Sequence, residues 1–214
     1  MGGEPSSVPG ADGMVDRPEP APVAPADEHL AETRLDTTVV HDGHLVKLRR
    51  DRVRLPDGRE AGREFIVHPG AVMVVPLTDD GRVVVERQYR YPVGRILTEF
   101  PAGKIDPGEA PFDCARRELR EETGYSAQEW ACAGRLHNAP AYATEFIEIW
   151  FARGLQAGPQ SLDAGEHLEV LAVTPDSLLD AAGRGELTDA KTLIALLWLQ
   201  NWQAGRWTLD WRRV

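Results

Sequence analysis

The sequence predicts an α/β fold in which a mixed sheet lies between helices, and three observations support this. Apolar runs rich in β-branched residues, Val72 to Leu77 and Val83 to Tyr89, flank the turn Asp79-Asp80-Gly81 and are typical of paired strands. Helical patterns follow, over Phe112 to Glu122 and from about Asp189 to Trp202. The strand and helix signals interleave without regular βαβ units, which favours a mixed sheet.

The remaining elements follow from turn and cap signals. The turn Pro56-Asp57-Gly58 separates two extended segments, Leu45 to Leu55 and Glu64 to Val67, which predict a two-stranded ribbon. Thr174, followed by a proline, predicts the start of a helix. Further strands are predicted near Arg135, at Phe146 to Phe151 and at Leu168 to Val173.

Composition divides the chain into two parts. Residues 1–33 are rich in Pro, Ala, Gly and acid, hold few large apolar side chains, and predict a disordered leader that is dispensable for stability and turnover. Residues 34–214 predict one domain, with the N-terminal ribbon at 34–68 and a catalytic core at 69–204.

Charge and cysteine content narrow the possible partners and location. The net charge is -10, and an acidic chain is a poor general binder of nucleic acid. No apolar run approaches the roughly 18 residues of a membrane span. We therefore expect a small-molecule substrate, with neither nucleic acid nor membrane as partner. Two cysteines are too few for a disulfide framework, which favours the reducing cytoplasm.

The chemically informative segment is a glycine-containing loop from Gly103 followed by an acidic helix. Glu118 and Glu122 are spaced i,i+4 and project from one helical face, with Glu121 beside them. Acidic side chains at a helix C-terminus oppose the helix dipole, which suggests that a cation belongs there. Carboxylate oxygens suit Mg²⁺ or Mn²⁺. The alternative is a solvated acidic helix end held by the arginines of the same helix.

This segment resembles the Nudix box, in which Gly, Glu, an Arg-Glu pair, a Glu-Glu pair and a final Gly recur at fixed spacing. Tyr125, where an aliphatic residue is commoner, is a mild departure. The matching residues are Gly103, Glu109, Arg117, Glu118, Leu119, Glu121, Glu122 and Gly124. The resemblance implies a Nudix-type α/β/α sandwich with an N-terminal β-ribbon.

Segments outside the box resemble ADP-ribose pyrophosphatases of the same family, over roughly residues 40–202. A proline about sixteen residues past the box, here Pro140, marks that subfamily. The other similar segments are Arg87 to Pro92, Glu99 to Gly103, Pro140 to Glu145 and Gly185 to Thr192.

The resemblance assigns metal ligands within and beside the box. Glu118 and Glu122 are implied to hold Mg²⁺, for which Mn²⁺ is a possible substitute. Glu121 lies close by and sometimes joins them, and the backbone carbonyl of Ala102 supplies a further oxygen.

The resemblance also implies roles in positioning and catalysis. Arg117 orients Glu121, Glu109 braces the loop, and Gly103 and Gly124 are structural. Glu145 matches the position of a proposed general base.

The implied reaction is metal-dependent hydrolysis of a nucleoside diphosphate sugar, with ADP-ribose giving AMP and ribose 5-phosphate. Arg90 is implied to contact the diphosphate and Glu99 the ribose region. Two alternatives are a pyrophosphatase for a GDP- or UDP-sugar and, more remotely, a ligand sensor built on the Nudix fold.

Related enzymes place the N-terminal ribbon on the neighbouring subunit of a two-fold dimer. The resemblance therefore implies a homodimer in which Arg63 or Phe65 of one chain reaches the base site of the other. The alternative is a ribbon that folds back on its own domain.

Overall fold

The computed structural model describes residues 23–214, so most of the predicted leader lies outside the described residues. A short 3₁₀ helix, Pro25–Leu30, occupies the described end of that segment. None of the described helices is long and apolar enough to cross a membrane.

The strands are β1 Thr33–Asp42, β2 Lys47–Arg54, β3 Glu60–Val67, β4 Ala71–Pro76, β5 Val83–Arg90, β6 Arg95–Glu99, β7 Ala102–Lys104, β8 Tyr125–Leu136, β9 Ile147–Ala157, β10 Leu168–Val173 and β11 Arg212–Arg213. The helices are α1 Pro111–Thr123, α2 Pro175–Gly183 and α3 Ala190–Gln203.

These strands form three sheets. The N-terminal sheet has the order β1-β2-β3, a second sheet has the order β10-β5-β6, and a five-stranded sheet has the order β11-β8-β9-β4-β7. β4 and β9 run parallel, whereas β4 and β7, and β8 and β9, are antiparallel. The five-stranded sheet is therefore mixed, and the predicted α/β class is confirmed.

Strand β4 lies at the centre of the fold and is buried on both faces. Its six residues are all buried, as expected of a strand covered on two sides. Val72 and Val74 pack with Leu119 of α1 in one apolar cluster. Met73 and Val75 pack in a second cluster that includes α2 and α3. The two clusters give the layered α/β/α arrangement and place α1 against the sheet.

The N-terminal sheet has three strands: the ribbon predicted between Leu45 and Val67 is present as β2 and β3, whereas the additional strand β1 was not predicted. Nearly every residue of β1 is exposed, with only Leu35 half-buried, and no apolar periodicity marked the strand. β3 is joined to the core of its own chain: Ile66 N donates to Tyr142 O at 2.8 Å, and Thr144 N donates to Ile66 O at 2.9 Å. This sheet therefore ends beside the loop that precedes β9.

The helix predictions were close, whereas several strands were missed or shortened. Thr174 caps α2 as predicted, with its side chain accepting a hydrogen bond from Ser177 N. β6 and β7 were not predicted, and β8 is much longer than the strand expected near Arg135. β7 has only three residues and pairs with β4, so tertiary contacts rather than local pattern define it.

Candidate active site

Two glutamates of α1 face the short strand β7. Glu122 is buried, with 4% of its surface exposed, and its Oε2 accepts a hydrogen bond from Ala102 N at 2.9 Å. Glu118 lies one turn earlier on the same helix. The helix face that the i,i+4 spacing predicted is thus directed at the segment that carries the Ala102 carbonyl.

Two glycines beside these glutamates lie where a side chain would not fit. A Cβ added at Gly103 would lie 1.9 Å from Glu118 Oε1, so any side chain there would displace the carboxylate. Gly124 ends α1 with φ 75°, in the left-handed region that favours glycine. A Cβ at Gly124 would lie 2.5 Å from the carbonyl oxygen of Gly158. A side chain at Gly103 would therefore disturb the contact between β7 and α1, and one at Gly124 would disturb the contact between the end of α1 and the segment after β9.

Arg117 binds three carboxylates of the box at once. Its guanidinium donates to both oxygens of Glu109, at 2.8 and 2.9 Å, to Glu118 at 2.7 Å and to Glu121 at 3.1 Å. Glu109 also accepts a hydrogen bond from Asp106 N at 3.1 Å, which closes the loop before α1. Glu109 therefore contacts both Arg117 and the backbone of the loop, and Arg117 reaches Glu118 as well as Glu121.

Burial, with a further contribution from neighbouring acidic groups, disfavours ionisation of the two central glutamates. Burial, followed by the charges of Glu86, Glu118 and Glu166, raises the pKa of Glu122 to about 10. Burial raises the pKa of Glu118 to about 7, although Arg117 acts in the opposite direction. A cation among these groups would favour their charged forms.

The donor chemistry of this cluster fits a divalent cation. Every candidate ligand is an oxygen, from Glu118, Glu121, Glu122 or the Ala102 carbonyl, and hard cations such as Mg²⁺ and Mn²⁺ prefer such ligands. Within residues 23–214 no three acidic, histidine or cysteine side chains already form a group that could hold a metal ion. Glu118 Oε1 accepts a hydrogen bond from Arg117, and Glu122 Oε2 accepts one from the Ala102 amide, so each of these carboxylates uses one oxygen in a contact with the protein.

The raised pKa values give an expected pH dependence for the metal-free protein. A carboxyl group whose pKa is higher in the folded state binds more protons there, so its stabilising effect is lost as pH rises. With Glu118 titrating near 7 and Glu122 near 10, the free energy of unfolding in EDTA should fall between pH 5 and pH 9. Urea unfolding across that range measures it. A Glu118→Gln variant should show a shallower decline, and an equal decline in both proteins would contradict the assignment.

A second charged cluster lies on β5, β6 and α3. Arg90 Nε and Nη2 donate to the two oxygens of Glu99, both at 2.7 Å, and Lys191 also donates to Glu99. Lys191 contacts Asp189 at 3.1 Å. Burial opposes ionisation of Glu99, but the contacts with Arg90 and Lys191 outweigh it and lower its pKa. Glu99 is therefore a charged, buried anchor for two cations.

Glu145 lies on the loop between β8 and β9, beside two histidines. Its Oε1 is 3.7 Å from His68 Nε2, and its backbone oxygen is 3.2 Å from His137 Nδ1. The acids whose charges raise the pKa of Glu122 are Glu86, Glu118 and Glu166. The contacts found for Glu145 thus connect it to the residues that directly follow β3 and β8.

Glu166 was not selected from the sequence, yet the structure places it near the box. Its loop runs over the end of α1: Gly158 N donates to Gly124 O at 2.7 Å, and Ser161 N donates to Glu121 O at 3.0 Å. Gln88 Nε2 donates to Glu166 Oε1 at 3.3 Å. The charge of Glu166 raises the pKa of both Glu118 and Glu122. A lone acid in a loop carries no sequence signal, which explains the omission.

Arg63 and Phe65 lie two residues apart on β3. Arg63 forms an ion pair with Glu32, and its side chain is 46% exposed. Phe65 is half-buried and pairs in register with Arg49 of β2. The contacts found for Arg63 lie within the N-terminal region, with Glu32 and Gly62.

Comparison with known proteins agrees with this architecture. The NUDIX domain model matches residues 67–196, and the model of the nucleoside diphosphate sugar hydrolase N-terminal domain matches residues 32–66. The chain therefore belongs to the Nudix hydrolase family, as the box predicted. The boundary between the two matched regions falls at the end of β3.

Relatives of known name cover most of the chain. The methanol dehydrogenase activator of Bacillus methanolicus is 36% identical over 175 residues, which is 81% of this chain and 95% of that protein. The ADP-ribose pyrophosphatase of Bacillus subtilis (strain 168) is 36% identical over 173 residues, 80% of this chain and 94% of that protein. A crystal structure of an ADP compounds hydrolase superposes with a TM-score of 0.73 at 26% identity, covering 82% of this chain and 95% of the other.

Proposed function

We propose that the protein hydrolyses the diphosphate bond of a nucleoside diphosphate sugar, with ADP-ribose as the leading substrate and AMP and ribose 5-phosphate as products. The observation that carries the proposal is the acidic face of α1, where Glu118 and Glu122 meet the Ala102 segment beside the Arg90–Glu99 pair. The similarity to the ADP-ribose pyrophosphatase of Bacillus subtilis supports this substrate class.

The proposed cofactor is Mg²⁺, with Mn²⁺ as a possible substitute. Glu118, Glu122 and the Ala102 carbonyl would hold it, with Glu121 close enough to join them. When bound, such an ion neutralises phosphate oxygens, polarises phosphorus and lowers the pKa of water.

Arg90 is proposed to hold the diphosphate. Glu99 fixes its guanidinium through Nε and Nη2, while 37% of the arginine side chain is exposed. A guanidinium fixed in this way loses little further freedom when it binds a phosphate oxygen, and its fork geometry suits phosphate. Glu99 would therefore act mainly by positioning Arg90. We also propose that Glu99 lies near the ribose of the bound substrate.

Two carboxylates are candidates for the general base. Glu145 is the residue that the resemblance implies, and Glu166 is the one that the structure places near Glu118 and Glu122. The variants Glu145→Gln and Glu166→Gln separate them, because loss of the base should lower kcat by about 10²–10⁴-fold. We expect the larger loss of kcat for Glu166→Gln. Wild-type kcat in Glu166→Gln would show that Glu166 is not the general base. The base would then be Glu145 or neither of these two residues.

A panel of substrates tests the reaction and its specificity. ADP-ribose, GDP-mannose and UDP-glucose would each be incubated with Mg²⁺, and the released nucleoside monophosphate measured. The proposal expects the highest kcat/KM for ADP-ribose. A preference for GDP- or UDP-sugars would establish the alternative substrate class. Cleavage of none, with tight binding of one, would favour the ligand-sensor alternative.

We also propose that the protein acts as a cytoplasmic homodimer. Tyr89, Ile96 and Leu171 are exposed apolar side chains on adjacent strands of the β10-β5-β6 sheet, and Val39 and Val40 are exposed on the edge strand β1. Apolar groups on open sheet faces and edges favour association.

Sedimentation and subunit mixing test the dimer. Analytical ultracentrifugation at micromolar concentration should give twice the mass of one chain. Mixing Glu122→Gln with Phe65→Ala should restore activity if a pocket is shared, because one mixed site then holds both intact residues. A fully active monomer would contradict the proposal, and a dimer without restored activity would show that Phe65 serves its own chain.

A further inference from the structure

Strand β5 carries a glutamate that the proposed mechanism does not use. Glu86 follows three buried valines and is itself fully buried, with 0% of its surface exposed. Among the residues that the structure describes, neither of its carboxylate oxygens has a hydrogen-bond partner. Buried polar groups are nearly always hydrogen-bonded, so a carboxylate left without a partner needs an explanation.

Glu86 is directed toward the acidic cluster. It pairs in register with Glu99 of β6, and residues directly opposite each other in a sheet project from the same face. Among the charged groups that raise the pKa of Glu122, Glu86 has the largest effect. Glu86 therefore projects from the same sheet face as Glu99, the residue that binds Arg90 and Lys191.

The cations near Glu86 are already engaged. Arg90 and Lys191 are the positive groups that act on Glu86, and both donate to Glu99. The negative groups that act on it include Glu99 and Glu166. Because acids outnumber bases here, a further positive charge is required if these carboxylates are to be ionised together.

We propose that Glu86 is an additional carboxylate of the divalent-cation site, facing the ion from β5 while Glu118 and Glu122 face it from α1. A carboxylate oxygen of Glu86 would coordinate the ion or accept a hydrogen bond from a water bound to the ion, and either role would explain why these oxygens have no protein partner. The inference rests on the proposed function only in requiring that this cluster binds a divalent cation.

Binding of Mn²⁺, followed by electron paramagnetic resonance, tests the role without measuring turnover. Glu86→Gln keeps the shape of the side chain but cannot carry its charge. We expect it to weaken Mn²⁺ binding by at least about 10-fold, the size of effect found for groups that support metal ligands. Glu169→Gln is the matched control, because Glu169 is an exposed acid on the adjacent strand β10, paired with Arg87. The control should bind Mn²⁺ as the wild type does.

Thermal unfolding provides a second readout. At pH 8 in EDTA, folded Glu86→Gln should be at least as stable as the wild type, because a buried charge has been removed. Its gain in Tm on addition of Mn²⁺ should be smaller. If Glu86→Gln does not fold, Glu86→Asp keeps the charge but withdraws it by one methylene, and should also weaken Mn²⁺ binding. Wild-type Mn²⁺ affinity in a folded Glu86 variant would overturn the inference.

The outcomes distinguish this inference from the proposed function. Weakened Mn²⁺ binding by Glu86→Gln, in a protein that cleaves no nucleotide sugar, would support the cation-site role and contradict the proposed reaction. Unchanged Mn²⁺ binding by this variant, in an active hydrolase, would overturn only the role of Glu86. A wild-type protein that binds no Mn²⁺ would overturn both.

Discussion

Glu122→Gln should leave the fold intact and lower kcat/KM with Mg²⁺ by at least about 100-fold. Groups that merely support metal ligands contribute 10–100-fold, and Glu122 is placed as a ligand itself. Its Oε2 accepts the Ala102 amide, a hydrogen bond that the glutamine carbonyl can retain, so stability should be preserved. Circular dichroism and steady-state kinetics measure the two effects.

The matched control is Asp113→Asn on the same helix. Asp113 lies in the first turn of α1 with a side chain that is 65% exposed, and it should be neutral toward activity. Wild-type turnover in a folded Glu122→Gln protein would remove Glu122 from the metal site, whereas equal losses in both variants would indicate a general sensitivity of α1.

The second large effect is expected for stability. Glu99→Gln should lower the free energy of unfolding by about 3 kcal/mol, because removing one partner of a buried ion pair leaves an uncompensated charge. Glu99 is 1% exposed and anchors both Arg90 and Lys191. The variant should also raise KM more than it lowers kcat, since Arg90 would no longer be fixed.

Glu64→Gln is the appropriate comparison for Glu99→Gln. Glu64 pairs with Arg50 on the surface, where both side chains are more than half exposed, and such pairs contribute about 0–1 kcal/mol. Urea unfolding would measure the free energy of unfolding of both variants and of the wild type. Similar small losses would show that the Glu99 cluster is worth no more than a surface ion pair.

Much of the fold was predictable because its central elements carry strong local patterns. The buried run of β4 and the amphipathic α1 are examples, and both were placed within about a residue. β1 was missed because its side chains are nearly all exposed, and β7 because three residues are too few for a pattern. Elements defined by tertiary pairing leave little trace in a single sequence.

In the candidate site, too, the part with a local sequence pattern was predictable and the part formed by tertiary structure was not. The acidic face of α1 follows from the i,i+4 spacing of Glu118 and Glu122, and it was visible from residue spacing alone. Glu86, Glu166 and Lys191 reach the region from β5, a loop and α3, and only the three-dimensional fold brings them together. A lone acid in an apolar strand, such as Glu86, becomes informative only once its burial is known.

The claim that the protein is a metal-dependent hydrolase of nucleoside diphosphate sugars is most directly tested by identifying the products that it forms from ADP-ribose with and without available metal. Chromatography should show AMP and ribose 5-phosphate formed in equal amounts with Mg²⁺, and neither when EDTA is added before the substrate. Release of AMP that is unaffected by EDTA would contradict the metal site on α1. Failure to cleave ADP-ribose or any other nucleoside diphosphate sugar with Mg²⁺ or Mn²⁺ would contradict the proposed reaction itself.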